Sequence, residues 1–76
     1  MFAKEIFTDR LDLLMKATKT SKQTLSNEIG ISRQAVSQFV HGNNLPSIDT
    51  LILIAQYFDV SIDYLVGRTD NKEINK

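Results

Sequence analysis

The sequence contains no cysteine, which excludes disulfide bonds, thiolate metal sites and cysteine nucleophiles. It also lacks a long hydrophobic run, because the longest apolar stretch spans only residues 51–55. A stretch of that length is far too short for a signal peptide or a membrane-spanning helix. We therefore expect a cytoplasmic protein that does not enter a membrane.

Patterns typical of catalysis are also missing. The chain has a single histidine, and its serines and aspartates are scattered without the spacing of a catalytic set or a metal cluster. The sequence therefore predicts that the protein is not an enzyme, and it indicates no cofactor, metal or small-molecule ligand.

The length of 76 residues and the hydrophobic content of 42% allow one domain with one small core. Domains of this size bury only about 60% of the surface of the unfolded chain, so their stability is marginal. Because a partner subunit or a ligand often adds the missing stability, a homodimer is expected.

The formal net charge is zero, which by itself argues against a nucleic-acid partner. The charges are nevertheless unevenly distributed. Residues 16–46 carry four basic side chains against one acidic side chain, a local balance of +3, formed by Lys16, Lys19, Lys22, Arg33 and Glu28. Residues 47–70 carry one arginine against four aspartates, a local balance of −3. Only the middle third of the chain is therefore suited to contact phosphates.

Apolar residues recur at helical spacing throughout the chain, and no strand pattern is present, so the sequence predicts an all-α fold of five short helices. The first helix is predicted from about Glu5 to Thr18, with Phe7, Leu11, Leu14 and Met15 in the core. Serines are placed to cap the four other helices, at Ser21, Ser32, Ser47 and Ser61. Three helices are predicted to end at Gly30, Gly42 and Gly67. The polar segment 68–76 is expected to be frayed.

The third predicted helix has two contrasting faces. Ala35, Val36 and Phe39 lie together and are expected to contact the core. The outward-facing residues are Arg33, Gln34, Ser37, Gln38 and His41. A polar helix face is usually only solvated, but glutamine, arginine and serine are side chains that pair with base edges in the major groove. Together with the preceding capped helix and the glycine turn, this face predicts a helix-turn-helix from Ser21 to Gly42.

The segment SKQTLSNEIGISRQAVSQFVHGNNLPSIDTLILIAQYFDVSIDYLVG resembles the lambda-repressor-like helix-turn-helix domains, also called the XRE or Cro/CI family. The resemblance extends from about Phe7 to Gly67. The residues that carry it are Leu25, Gly30, Ile31, Ser32, Val36, Gly42, Pro46, Ser47, Leu51, Ile54, Ala55, Val60, Ser61 and Leu65. It implies a DNA-binding domain over residues 1–69 followed by a polar tail, 70–76. It also implies a transcriptional regulator, in particular a repressor, and the ending GRTD is similar to repressors of prophages and mobile elements.

The resemblance further implies which residues contact DNA. Gln34, Ser37 and Gln38 occupy positions that read bases, and Arg33 contacts a base or the backbone. The backbone contacts are expected from Lys22, Gln23, Ser32, Asn43 and Asn44. His41 is expected to interact with the helix dipole, with a phosphate contact as the alternative. Many family members carry an Arg–Glu pair at the positions of Met15 and Val40, where this chain has two apolar residues.

An exposed apolar face on the fourth helix suggests a dimer interface, since Leu53 and Tyr57 lie opposite its core stripe. Ile62 and Tyr64 could extend this interface. The alternative is that these are scattered exposed residues of the ordinary kind. A two-fold dimer would read a palindromic operator in double-stranded DNA. A different hypothesis is a protein-interaction module, such as an antitoxin or an adaptor, that retains the fold without reading DNA.

Overall fold

The computed structural model describes residues 4–71 and contains five α-helices and no strand within that range. The helices are α1 (Lys4–Thr18), α2 (Lys22–Ile29), α3 (Arg33–Val40), α4 (Ile48–Phe58) and α5 (Ile62–Leu65). The predicted all-α fold is therefore confirmed. None of the helices in the described part of the chain is long and apolar enough to cross a bilayer.

Serine side chains cap α2, α3, α4 and α5. In each case the hydroxyl oxygen accepts a hydrogen bond from the backbone N–H three residues later, in the pairs Ser21–Thr24, Ser32–Ala35, Ser47–Thr50 and Ser61–Tyr64. A cap of this kind stabilises a helix by about 1 kcal/mol relative to alanine. The four predicted helix starts are confirmed. They could be predicted from the sequence because a cap joins residues only three positions apart.

The turn between α2 and α3 is made by Gly30, which has a left-handed backbone with φ +75°. Its N–H donates to the Ser26 carbonyl at 2.9 Å, and the N–H of Ile31 donates to the same oxygen at 3.1 Å. A Cβ atom on Gly30 would meet nothing within 4 Å. Glycine is therefore required here by the backbone conformation rather than by lack of space.

The core is formed where α1 packs against α3 and α5, and α2 packs against α3 and α4. The largest fully buried side chains are Phe7, Leu11, Leu25, Val36, Ile54 and Leu65. Phe7 meets Phe39 edge-on, with ring centroids 6.3 Å apart at 79°. Thr8 Oγ1 also donates to the Phe39 carbonyl at 3.2 Å. These contacts hold α3 against α1, so one side of α3 is buried and the other is left at the surface.

Arg10 on α1 holds the C-terminal end of the domain. Its Nη1 donates to the carbonyls of Tyr64 at 3.1 Å and Thr69 at 3.0 Å, and its Nη2 pairs with the Asp70 carboxylate at 2.9 Å. The N–H of Arg68 donates to the Asp63 carbonyl at 2.8 Å. The expectation that the chain frays from Arg68 is thus wrong for residues 68–70. The N–H of Asn71 donates to Thr69 Oγ1 at 3.1 Å. Residues 72–76 of the predicted tail, and residues 1–3, lie outside the described residues.

Candidate nucleic-acid interface

The outer side of α3 presents the predicted base-reading residues. Val36 and Phe39 are buried beneath it, and Ala35 is half-buried against the core. On the opposite side, Arg33 and Gln34 are exposed, and Ser37 and Gln38 are half-buried. We define these last four residues as the α3 reading face. The helix therefore has one side packed into the core and one polar side directed outward.

A shallow cleft joins the start of α2 to the α3 reading face. Lys22, Arg33, Gln34 and Ser37 line this cleft, which has a volume of about 310 Å³. No acidic side chain is among the described residues that line it. The fold thus places two cations, an amide and a hydroxyl side by side, a combination suited to phosphate and base-edge oxygens.

A second depression, of about 420 Å³, continues the basic surface from Lys22 to Lys19 and Lys16 at the end of α1. Lys16 is ion-paired with Asp12 at 2.9 Å, one helical turn earlier. Asp12 lies outside the segment in which the balance of +3 was counted, so it offsets part of that positive charge. Met15 and Val40, which stand at the positions where many family members have an ion pair, line the same depression.

Side-chain hydrogen bonds divide the α3 reading face into two kinds of residue. Gln38 Oε1 accepts a hydrogen bond from Asn44 Nδ2, and Ser37 Oγ lies 3.4 Å from His41 Nδ1. Arg33 and Gln34 form no side-chain hydrogen bond with any residue in the range 4–71. Their polar groups are therefore available to a ligand without breaking an internal contact.

Besides His41, three of the residues predicted to contact the DNA backbone have hydrogen-bond partners within the protein. Ser32 Oγ accepts the N–H of Ala35 at 3.0 Å as the cap of α3, and its hydroxyl hydrogen remains able to donate to a phosphate. Gln23 Nε2 donates to Asn27 Oδ1 at 3.0 Å, so its side chain is turned along α2. Asn44 is engaged with Gln38, as described above, whereas Asn43 is exposed beside it.

The predicted dimer interface is not a single surface. Tyr64 was expected to be exposed but is only 5% exposed, because the Arg10 guanidinium lies 4.2 Å from its ring centroid. Its assignment to the interface is therefore wrong. Leu53 is 40% exposed, and Tyr57 is half-buried against Phe58, with ring centroids 4.9 Å apart at 83°.

Another exposed apolar surface, which the sequence reasoning missed, lies between the α3–α4 loop, α4 and α5. Ile48 is 64% exposed, Ile52 is 37% exposed and Leu45 is 39% exposed. Ile62 lines the depressions on both sides of this region. We define Leu45, Ile48, Ile52, Ile62 and Val66 as the α4–α5 surface. The spacing of four residues between Ile48 and Ile52 was the sequence signal that could have identified it.

Leu53 does not belong to this surface, because one residue along a helix turns the side chain by about 100°. Of the four residues predicted to form the dimer interface, only Ile62 lies on the α4–α5 surface.

Comparison with known proteins gives three kinds of similarity. A family model described as helix-turn-helix matches residues 11–65. The chain is similar to the uncharacterized HTH-type transcriptional regulator YobD of Bacillus subtilis, with 32% identity over 68 residues that cover 90% of this chain and 61% of that protein. It is also similar to the cryptic phage CTXphi transcriptional repressor RstR of Vibrio cholerae, with 33% identity over 69 residues that cover 87% of this chain and 62% of that protein. The chain thus spans about three fifths of the length of these curated relatives.

Among solved structures, the solution structure of the SOS-response transcriptional repressor LexA from Eubacterium rectale is similar, with a TM-score of 0.80. The similarity covers 96% of this chain and 74% of that chain at 22% sequence identity. At that level of identity the match establishes the fold.

Proposed function

The chain belongs to the helix-turn-helix family, and from that membership we propose that it is a sequence-specific DNA-binding transcription regulator whose α3 enters the major groove. The observation that carries the proposal is the α3 reading face, where Arg33 and Gln34 stand exposed and without internal partners among residues 4–71. Arginine pairs with guanine and glutamine with adenine through two hydrogen bonds each, so these side chains can distinguish base pairs.

Contacts to the DNA backbone complete this proposal. Lys22 lines both the cleft beside α3 and the depression that contains Lys19, so a phosphate strand that follows this surface meets these two cations in turn, whereas Lys16 is paired with Asp12. Ser32 and Asn43 add neutral hydrogen-bond donors near the two ends of α3. Such contacts fix the register of the protein on the duplex and leave the choice of sequence to the base contacts.

The proposal includes a homodimer that reads a palindromic operator. Support comes from the α4–α5 surface, where Ile48 and Ile52 expose apolar area that the core does not need. Asp49 and Asp63 are exposed on the same two helices, so this side of the molecule repels phosphates and is unsuited to DNA. A two-fold dimer buries the same surface of both copies and can present two α3 helices to grooves about 34 Å apart.

We further propose that the protein acts as a repressor. The relative from Vibrio cholerae is named a transcriptional repressor, and a dimer that occupies an operator within a promoter excludes RNA polymerase by steric overlap. A reporter gene with the selected operator over its promoter tests this step. Expression should fall when the protein is supplied, and a rise in expression would identify an activator instead.

The DNA-binding proposal is tested by selecting binding sites from random duplex DNA at about 0.15 M salt, followed by a titration of the enriched site against scrambled DNA. We expect an enriched palindrome that is bound about a thousandfold more tightly than scrambled sequence. If no sequence is enriched, the proposal is wrong, and the protein-interaction module becomes the better hypothesis. Sedimentation of a monomer at tens of micromolar, both free and on DNA, would contradict the dimer alone.

A further inference from the structure

The loop after α3 is attached to one residue of the α3 reading face at two points. Gly42 adopts a left-handed backbone with φ +78°, which turns the chain back along the helix. The N–H of Asn43 donates to the backbone carbonyl of Gln38 at 3.0 Å. The side chain of the next residue, Asn44, donates from Nδ2 to Gln38 Oε1. Gln38 is thus held by consecutive loop residues through both its main chain and its carboxamide.

We propose that Asn44 is a positioning residue that orients the Gln38 carboxamide and thereby sets the base preference at the position that Gln38 reads. This inference rests on the proposed DNA-binding function and refines it. The carboxamide of glutamine has an acceptor end and a donor end, and rotation by half a turn exchanges them. In the structure Oε1 accepts from Asn44, and Nε2 has no hydrogen-bond partner among residues 4–71.

The fixed orientation has a chemical consequence for recognition. With one lone pair of Oε1 engaged by Asn44, the two unpaired hydrogens of Nε2 are the groups that Gln38 offers first to a base edge. In the major groove, guanine presents N7 and O6 as acceptors, adenine presents N7, and thymine presents O4, whereas cytosine presents only a donor. Gln38 should therefore accept guanine, thymine or adenine and discriminate against cytosine at the base it faces.

Asn43 provides a matched control for this role. It is the neighbouring residue, it has the same side chain, and its side chain forms no hydrogen bond with residues 4–71. If Asn44 acted only by touching a phosphate, replacing either asparagine would weaken binding to all sequences alike. A positioning role predicts instead that Asn44→Ala changes the ratios among the four bases at one position, while Asn43→Ala leaves those ratios unchanged.

The contact itself can be measured in the free full-length protein by NMR. The Asn44 side-chain amide protons should exchange with solvent more slowly than those of Asn43, and Gln38→Ala should abolish the difference. Equal exchange of the two side-chain amides in the wild-type protein would overturn the inference before any DNA is added. Backbone amide shifts of α3 report that each variant keeps its fold.

The base preference is tested with four operators that differ at one base pair only. This base pair is the one at which Gln38→Ala removes the preference of the protein among the four bases. Discrimination against cytosine should fall about fivefold in Asn44→Ala, the scale of one neutral hydrogen bond. Asn44→Asp preserves the shape of the side chain but can only accept, so Gln38 should rotate, present Oε1 and gain preference for cytosine. The uniform effect of the added negative charge cancels in the ratios among the four operators.

A double-mutant cycle decides whether Asn44 works through Gln38. In the Gln38→Ala background, Asn44→Ala should have no further effect on base preference. Two results would overturn this inference while the protein still binds its operator specifically. One is that the effects of Asn44→Ala and Gln38→Ala on base preference are additive, and the other is that Asn44→Ala and Asn43→Ala give the same ratios among the four operators. Either result leaves the proposed function standing. A wild-type protein that enriches no DNA sequence overturns the proposed function and the base-preference role together.

Discussion

The side chains of the α3 reading face are amides, a hydroxyl and an arginine, whereas those of the α4–α5 surface are aliphatic and stand near carboxylates. Water solvates the first set at no cost, so their exposure alone does not indicate a ligand. Exposed aliphatic side chains such as Ile48, at 64% exposure, are more costly, and the proposed dimer rests on them. The chemistry of its groups distinguishes the reading face, whereas the exposure of its aliphatic side chains distinguishes the α4–α5 surface.

The largest expected effect separates two neighbouring residues of α4. Ile52→Arg places a charge in the α4–α5 surface and should leave the protein monomeric, lowering operator affinity about 100-fold through loss of the second contact. Leu53→Arg is the matched control, because Leu53 has nearly the same exposure, 40% against 37%, but points about 100° away. Sedimentation and operator titration of both variants provide the measurement. If Leu53→Arg disrupts the dimer and Ile52→Arg does not, the association surface has been placed on the wrong side of α4.

A second substitution removes the contacts by which α1 holds the C-terminal end of the domain. Arg10→Ala removes the two part-buried hydrogen bonds to the carbonyls of Tyr64 and Thr69, and a hydrogen bond of this kind contributes about 1 kcal/mol. We expect the free energy of unfolding to fall by about 2 kcal/mol in urea denaturation. Arg68→Ala is the control, since its exposed pair with Asp63 at 3.8 Å should contribute almost nothing. Equal effects of the two variants would mean that Arg10 does not anchor α5.

The third prediction concerns the reading face alone. Gln34→Ala should weaken binding of the selected operator by about 1–3 kcal/mol, the range for a lost base contact. Its stability and its dimerisation should be unchanged, because Gln34 is exposed and has no internal partner among residues 4–71. Operator titration and thermal unfolding together measure both quantities. Unchanged operator affinity would favour a protein-interaction module over a DNA reader.

The smallest effect is expected for the phosphate contacts. Lys22→Gln should weaken binding to all sequences alike and reduce the slope of log affinity against log salt by about 1. Lys16→Gln is the control, because the Lys16 ammonium is already paired with Asp12 at 2.9 Å. Its slope should change less than that of Lys22→Gln when both are titrated over the same range of salt. The opposite order would place the DNA backbone nearer to α1 than to the start of α2.

The sequence predicted the α3 reading face but not the α4–α5 surface. The reading face could be recognised because Ser32 and Gly42 delimit α3, and the periodicity within that segment separates Val36 and Phe39 from the polar residues. The α4–α5 surface could not, because α4 is apolar on most of its circumference. Which of its sides remains exposed depends on where α5 packs, and α5 has only four residues, 62–65, too few for periodicity to orient it.

The five helices, the serine caps of α2, α3, α4 and α5 and the composition of the reading face follow from the local sequence, since capping and helical periodicity act between residues within one turn of each other. The tertiary structure alone decided that Tyr64 is buried, because Arg10, which covers it, is 54 residues away in the chain. It also decided that Asn44 returns to Gln38 and that Ile48, Ile52 and Ile62 share one surface. Contacts between separate segments follow from how the helices pack together, and no local pattern encodes that arrangement.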